Sequence, residues 1–121
     1  VYDTSEFSAP SFEIDAKSFF KYTTYSEIEA DATISVASEL RNDKDLTFVI
    51  SLHNYATDVS YIYQTLEIKK AELTPKTWRT FSLRCPVYPF GDMNATLKVY
   101  LWNRSGQMVE VKEFNVVQKV Y

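Results

Sequence analysis

The chain has 2 glycines, 4 prolines, 1 cysteine and 1 histidine in 121 residues. So little glycine and proline excludes a linker or a low-complexity tract. A lone Cys85 cannot close an intramolecular disulfide, so cysteine usage is silent on redox compartment. His53 has no second His or Cys at ligand spacing, which excludes the common metal-site patterns. No apolar run approaches the roughly 20 residues of a membrane-spanning helix, and no signal peptide is visible. The chain opens at Val1 rather than Met, which reads as the start of a processed or trimmed piece. Positive charge is also scarce. The net charge is −3, the basic residues are scattered, and Lys69-Lys70 is the only basic pair. A phosphate backbone or an anionic membrane surface wants a clustered basic face, so neither nucleic acid nor membrane insertion is expected.

Hydrophobic residues are plentiful at 45% of the chain. That is enough for a single domain to bury a core without disulfides or metals. Aromatics reach 16%, and 9 of them are tyrosine. Tyrosine joins a large apolar ring to a polar tip, which suits binding surfaces and half-exposed sheets. It is equally a good plain strand residue.

The hydrophobic pattern has period two. Residues 11–15 alternate, and residues 18–22 read as a turn or a short strand. Between Ala32 and Leu40, Ile34, Val36 and Leu40 face one way and Thr33, Ser35 and Glu39 the other. A helix over 25–40 is the competing reading, opposed by β-branched Thr33, Ile34 and Val36. From Leu46 to Tyr55, Leu46, Phe48, Ile50 and Leu52 point inward, while Thr47, Ser51, His53 and Tyr55 point outward. From Tyr61 to Lys70, Ile62, Leu66 and Ile68 point inward; Tyr61, Tyr63, Thr65, Glu67 and Lys69 point outward. Trp78 to Cys85 is a further strand with Phe81 and Leu83 inward. The last quarter alternates over 96–102, breaks at Asn103-Arg104-Ser105-Gly106, and alternates again to Phe114. This predicts a closing β-hairpin, with the last strand continuing past a small bulge toward Tyr121. About seven to nine strands with regular turn signals predict an all-β antiparallel sandwich. One domain spans 1–121, with residues 1–10 as a flexible lead-in.

Chemistry is thinly written. Cys85 lacks a base other than His53, and nothing in the sequence places the two together. Glu27/Glu29, Asp43/Asp45 and Glu110/Glu113 are carboxylate pairs, but each is most simply a solvated face or a turn, and a glycosidase needs two carboxyls across a cleft. Trp78, after a Thr-Pro-Lys turn, is expected to cap the end of the core. Asn94-Ala95-Thr96 and Asn103-Arg104-Ser105 match the weak glycosylation pattern. The strongest candidate site is the outward aromatic set. Parity puts Lys98, Tyr100 and Trp102 on one face, and Tyr55, Tyr61 and Tyr63 on the outward side of their strands. His53, Asn54, Arg84 and Asn103 are polar partners. A ring stacks on the apolar face of a pyranose while polar side chains take its hydroxyls. The competing reading covers Tyr100 and Trp102 in a second small core.

Several residues carry a family resemblance. Trp78 opens a strand, Leu97 to Asn103 ends one in Trp-Asn, and Met108 to Phe114 ends one in Lys112-Glu113-Phe114. Ser11-Phe12-Glu13 stands near the start. This arrangement resembles the galactose-binding-like jelly rolls of carbohydrate-binding modules, specifically over the last 45 residues and loosely from residue 10. The resemblance implies a jelly roll and a non-catalytic accessory domain of a bacterial secreted or surface protein. It further implies a glycan and neighbouring domains as partners, and an extracellular, cell-surface or periplasmic location. The family often holds a structural calcium near an acidic pair. Lys112 replaces the first of those carboxylates, and an ammonium repels a divalent cation. Glu13 and Glu113 remain weak calcium candidates, and no cofactor is expected. The alternative reading is an immunoglobulin-like interaction or spacer domain without a small ligand.

Overall fold

The computed structural model describes residues 2–3, 7–16, 25–88 and 94–120. Among these lie eight strands: β1 (Tyr2–Asp3), β2 (Phe7–Asp15), β3 (Ser26–Val36), β4 (Leu46–Asn54), β5 (Val59–Ile68), β6 (Arg79–Val87), β7 (Thr96–Asn103) and β8 (Val109–Val120). They form two four-stranded sheets. Sheet A runs β1-β8-β3-β6 and sheet B runs β2-β7-β4-β5. All pairings are antiparallel. The expected antiparallel β-sandwich is therefore present. The residues expected to lead in contribute β1 and the start of β2. The stretch 18–22 lies outside the described residues.

The pairings β1–β8, β2–β7, β3–β6 and β4–β5 nest inside one another. A long antiparallel ribbon, closed at the β4–β5 turn, is thus wound across two layers. Among the described strands, only β4 and β5 form a hairpin of sequence neighbours. This corrects the predicted closing hairpin: β7 and β8 are strands as expected, but they sit in different sheets. Both are inner strands, and their connection arches from one layer to the other across the end of the sandwich. Alternation marks a strand and its faces, yet it is blind to which strand lies beside it.

Side chains explain why the arch holds. Asn103 is buried; its Oδ1 accepts from the Ser105 backbone N–H at 3.0 Å and its Nδ2 donates to the Gln107 carbonyl at 2.9 Å. Gly106 takes φ +74°, which glycine adopts without a Cβ penalty. The Gln107 amide accepts from Ser38 N–H and donates to Ser38 carbonyl, both at 3.1 Å. The Arg104 N–H donates to the Asp45 carbonyl at 2.7 Å. Asp45 in turn accepts the Arg41 and Asn42 N–H groups at 3.0 and 3.2 Å. The turn after β7 and the loop before β4 are thereby one locked corner.

The core lies between the sheets. Ile28, Ile34, Phe48, Ile50, Leu52, Leu97, Val99 and Leu101 are buried. The Phe48 and Phe114 rings meet across the layers, with centroids 6.1 Å apart. Ala32 is paired with Phe81 on one side and Phe114 on the other. A small residue between two rings lets the layers interdigitate. The competing helix over 25–40 is replaced by β3, which starts at Ser26 and stops at Val36, with Leu40 buried from the following loop. β8 does carry a bulge, but at Lys112 rather than past Phe114 as expected: Thr33 pairs Glu113 and Ile34 pairs Val111, leaving Lys112 extra.

Candidate functional site

The outer face of sheet B gathers most of the predicted aromatic set. Register puts Trp102, Tyr100 and Lys98 of β7 beside Thr47, Val49 and Ser51 of β4. Those three lie in turn beside Glu67, Thr65 and Tyr63 of β5. All alternate with the inward Leu97, Val99 and Leu101, so parity reads this face correctly.

The face is not flat. Val49 is fully buried, and Thr47 and Ser51 are nearly so, although they point outward. Tyr63 and Tyr100, on strands either side of β4, are hydrogen-bonded to each other. They therefore roof the small residues of β4. Burial, then the neighbouring Tyr63 and Tyr55 phenols, push the Tyr100 hydroxyl up to about 12. It stays protonated and acts as a donor at any ordinary pH.

Above this floor stand the exposed rings. Tyr55 is 56% exposed and Tyr63 57%, the most open of the set; Tyr61 is exposed beside them. Tyr55 is held in the β4–β5 turn. Asn54 Oδ1 caps that turn by accepting the Ala56 and Thr57 N–H groups at 3.0 and 3.2 Å. The His53 ring meets the edge of Tyr55 at 4.6 Å between centroids, and His53 Nε2 lies 3.0 Å from Asp58 Oδ1. Lys98 Nζ lies 4.5 Å from the Tyr55 ring centre, a cation–π distance. The arrangement offers tyrosine faces rimmed by an ammonium, an imidazole and a carboxylate. Sequence reasoning missed Asp58. Its only signal was a position five residues after His53 across a tight turn.

Other predicted residues lie elsewhere. Trp102 is half-buried, with the Arg104 guanidinium 4.1 Å over its ring. The second-core reading thus applies to Tyr100 and Trp102 in part. Arg84 is on β6 of sheet A, where it faces Glu29 at 3.5 Å, and it is corrected out of this face. Asn54 and Asn103 are buried turn-forming residues rather than free polar partners. Burial of Asn103 also withdraws its glycosylation pattern from solvent. Trp78 is 45% exposed, with Lys112 Nζ 5.7 Å from its ring centre. It does not cap the core as expected.

Glu13 pairs with Lys98 in sheet B, and Glu113 pairs with Thr33 in sheet A. The two weak calcium candidates stand on opposite layers. Among the described residues, no group of three or more His, Cys, Asp or Glu side chains could hold a metal ion. Cys85 pairs with Ile28 in the core of sheet A, and burial pushes its thiol up. It is separated from His53, which belongs to sheet B. Glu29 is held below the usual carboxylate range, first by its hydrogen bond with Lys119 (2.8 Å), against some desolvation and with help from Arg84.

No family model matches the chain, and no curated protein matches it. Among solved structures, the chain is similar to one described as the C-terminal domain of EclA, a sugar-binding protein. The two share 14% identity over 97% of this chain and 76% of the other, with a TM-score of 0.44.

Proposed function

We propose that this chain is a non-catalytic binding domain that takes a carbohydrate on the outer face of sheet B. The observation that carries the reading is the convergence of Tyr55, Tyr63 and Tyr100 with Lys98 and His53 at one end of that face. Tyr55, Tyr61 and Tyr63 would stack on the apolar side of a pyranose. Lys98, His53 and Asp58 would take its hydroxyls, an apolar platform with a few placed polar groups. Tyr100 supports Tyr63 from beneath, and Trp102 lies under Arg104, so neither is a first platform. The nested strand order supports assigning the sandwich to the jelly rolls, which are built from eight strands in two sheets. An accessory domain of a secreted or surface protein, with neighbouring domains in a longer chain, is consistent with this reading. Immunoglobulin topology pairs its first two strands in one sheet, whereas β1 and β2 lie in different sheets here.

Calorimetric titration with a panel of oligosaccharides tests the proposal. Binding is expected with at least one neutral sugar, lost in Tyr55→Ala and Tyr63→Ala and kept in Arg84→Ala. Absence of binding across the panel, or binding untouched by both tyrosine substitutions, rejects it.

A further inference from the structure

A cation drawn partly out of water needs a partner for its charge. Among the described residues, Lys98 is the one half-buried lysine or arginine; every other is exposed. Several of the exposed cations hold a carboxylate: Arg84 and Lys119 flank Glu29 at 3.5 and 2.8 Å, and Lys69 lies 3.9 Å from Glu67. Lys98 makes no ion pair with any described carboxylate. Its neighbours in register are Glu13 on β2 and Ser51 on β4. β2 lies on one flank of β7, and β4, which leads into Tyr55, on the other. The Lys98 Nζ stands 4.5 Å over the Tyr55 ring, so the ammonium has turned away from Glu13 and into the tyrosine cluster. Ser51 beside it is buried, and Tyr63, on the far side of Ser51, is 57% exposed.

We infer that Lys98 makes this face selective for a carboxylated sugar, whose ring rests on Tyr63 while its carboxylate pairs with the Lys98 ammonium. The inference rests on the carbohydrate reading above and names the class of its ligand. An aromatic face satisfies an ammonium from one side only, and the remaining N–H donors stay available. A hydrogen bond from that ammonium to a carboxylate is roughly twice as strong as one between neutral groups. Partial burial also spares it much of the screening that weakens surface pairs. β7 and β5 stand on either side of β4, about 10 Å apart at about 4.8 Å per strand spacing. One pyranose and a carboxylate on its rim bridge that span. A single ammonium matches a single carboxylate. A densely sulfated chain wants a row of cations, whereas here Glu13 and Asp15 are exposed on β2 and the chain carries a net charge of −3. Glu13, opposite Lys98, repels an anion and holds the affinity down. The remaining carboxylate near the cluster, Asp58, is turned to His53 at 3.0 Å.

Calorimetry at low salt with uronic-acid oligosaccharides of several stereochemistries and a sialylated one, each against its own primary carboxamide, tests this. The carboxamide keeps the size and removes the charge. At least one acid is expected to bind at least about tenfold tighter than its amide. The gap should narrow in about 0.5 M sodium chloride. Lys98→Met keeps the apolar stem and should close the gap, with the fold checked by circular dichroism. Glu13→Gln, at an exposed position, should widen it, which gives a second reading from a variant that disturbs no packing. Acid and amide binding equally well would overturn the inference and leave the carbohydrate reading standing. A gap that neither variant moves overturns it too, as does a sulfated counterpart that binds more tightly than the acid. A chain that binds no sugar in any form removes both readings together.

Discussion

The Arg104 guanidinium lies 4.1 Å over the Trp102 ring while its Nη2 donates to the Lys44 carbonyl at 2.6 Å. One side chain from the β7–β8 arch therefore covers the indole and ties that corner to the loop before β4. An arginine stacked on an aromatic face contributes by both cation–π attraction and exclusion of water. Arg104→Ala is expected to uncover Trp102. Tryptophan emission should shift to longer wavelength and acrylamide quenching should increase. If both stay at the unaltered values, the guanidinium does not cover the ring in solution.

The raised Tyr100 phenol makes a prediction in alkali. Its folded value is about 12, against about 10 for an ordinary tyrosine in an unfolded chain. The folded state holds this proton more tightly. The associated stability is complete below about pH 10 and drains away as pH rises toward the folded value. Ultraviolet titration should show a late-ionising tyrosine that disappears in Tyr100→Phe. In Tyr63→Phe it should ionise earlier, because a hydrogen-bond acceptor and a neighbouring phenolate are both removed. A titration unchanged by Tyr63→Phe contradicts the coupling.

Asn103 holds the arch through three contacts: Ser105 N–H at 3.0 Å, Ser105 Oγ at 2.6 Å and the Gln107 carbonyl at 2.9 Å. Its loss strands buried polar groups, each worth about 1–3 kcal/mol when left unsatisfied. Asn103→Ala should lower unfolding free energy by about 2–3 kcal/mol in urea. Asn103→Asp keeps the acceptor and loses the donor, so its loss should be smaller. Equal losses from the two variants would show that the acceptor does not matter.

Phe48 is fully buried and meets Phe114 across the layers. Phe48→Ala removes a ring from a closed core and is expected to cost about 3–5 kcal/mol. Domains have only about 5–15 kcal/mol in total, so the denaturation midpoint should fall steeply. The slope with denaturant should stay the same, since the same surface unfolds. A changed slope would point to a loosened native state instead.

Much of the fold was legible because a strand's two faces are local. Leu46, Phe48, Ile50 and Leu52 against Thr47, Ser51 and His53 needed only a period of two. The outward aromatic face was legible for the same reason. Its exposure was not. Val49, Thr47 and Ser51 are buried on the outward side because Tyr63 of the adjoining hairpin strand and Tyr100 and Trp102 of the sequence-distant β7 flank them on either side. Arg84 is a comparable case. Its parity was readable, but the sheet it joined was not, so it was grouped with residues on the opposite layer.

The closing segment divides the two kinds of information most clearly. Alternation over Leu97–Leu101 and again over Val109–Phe114 determined that two strands flank a turn and which side of each faces the core, whereas the bulge at Lys112 emerged only from pairing with β3. Only tertiary structure decided that the two strands part company. A turn of a few residues can close a hairpin or arch between layers at similar local cost. The choice falls to distant contacts, here the Gln107 amide on Ser38, the Arg104 backbone on Asp45 and the inward rings of Phe48 and Phe114.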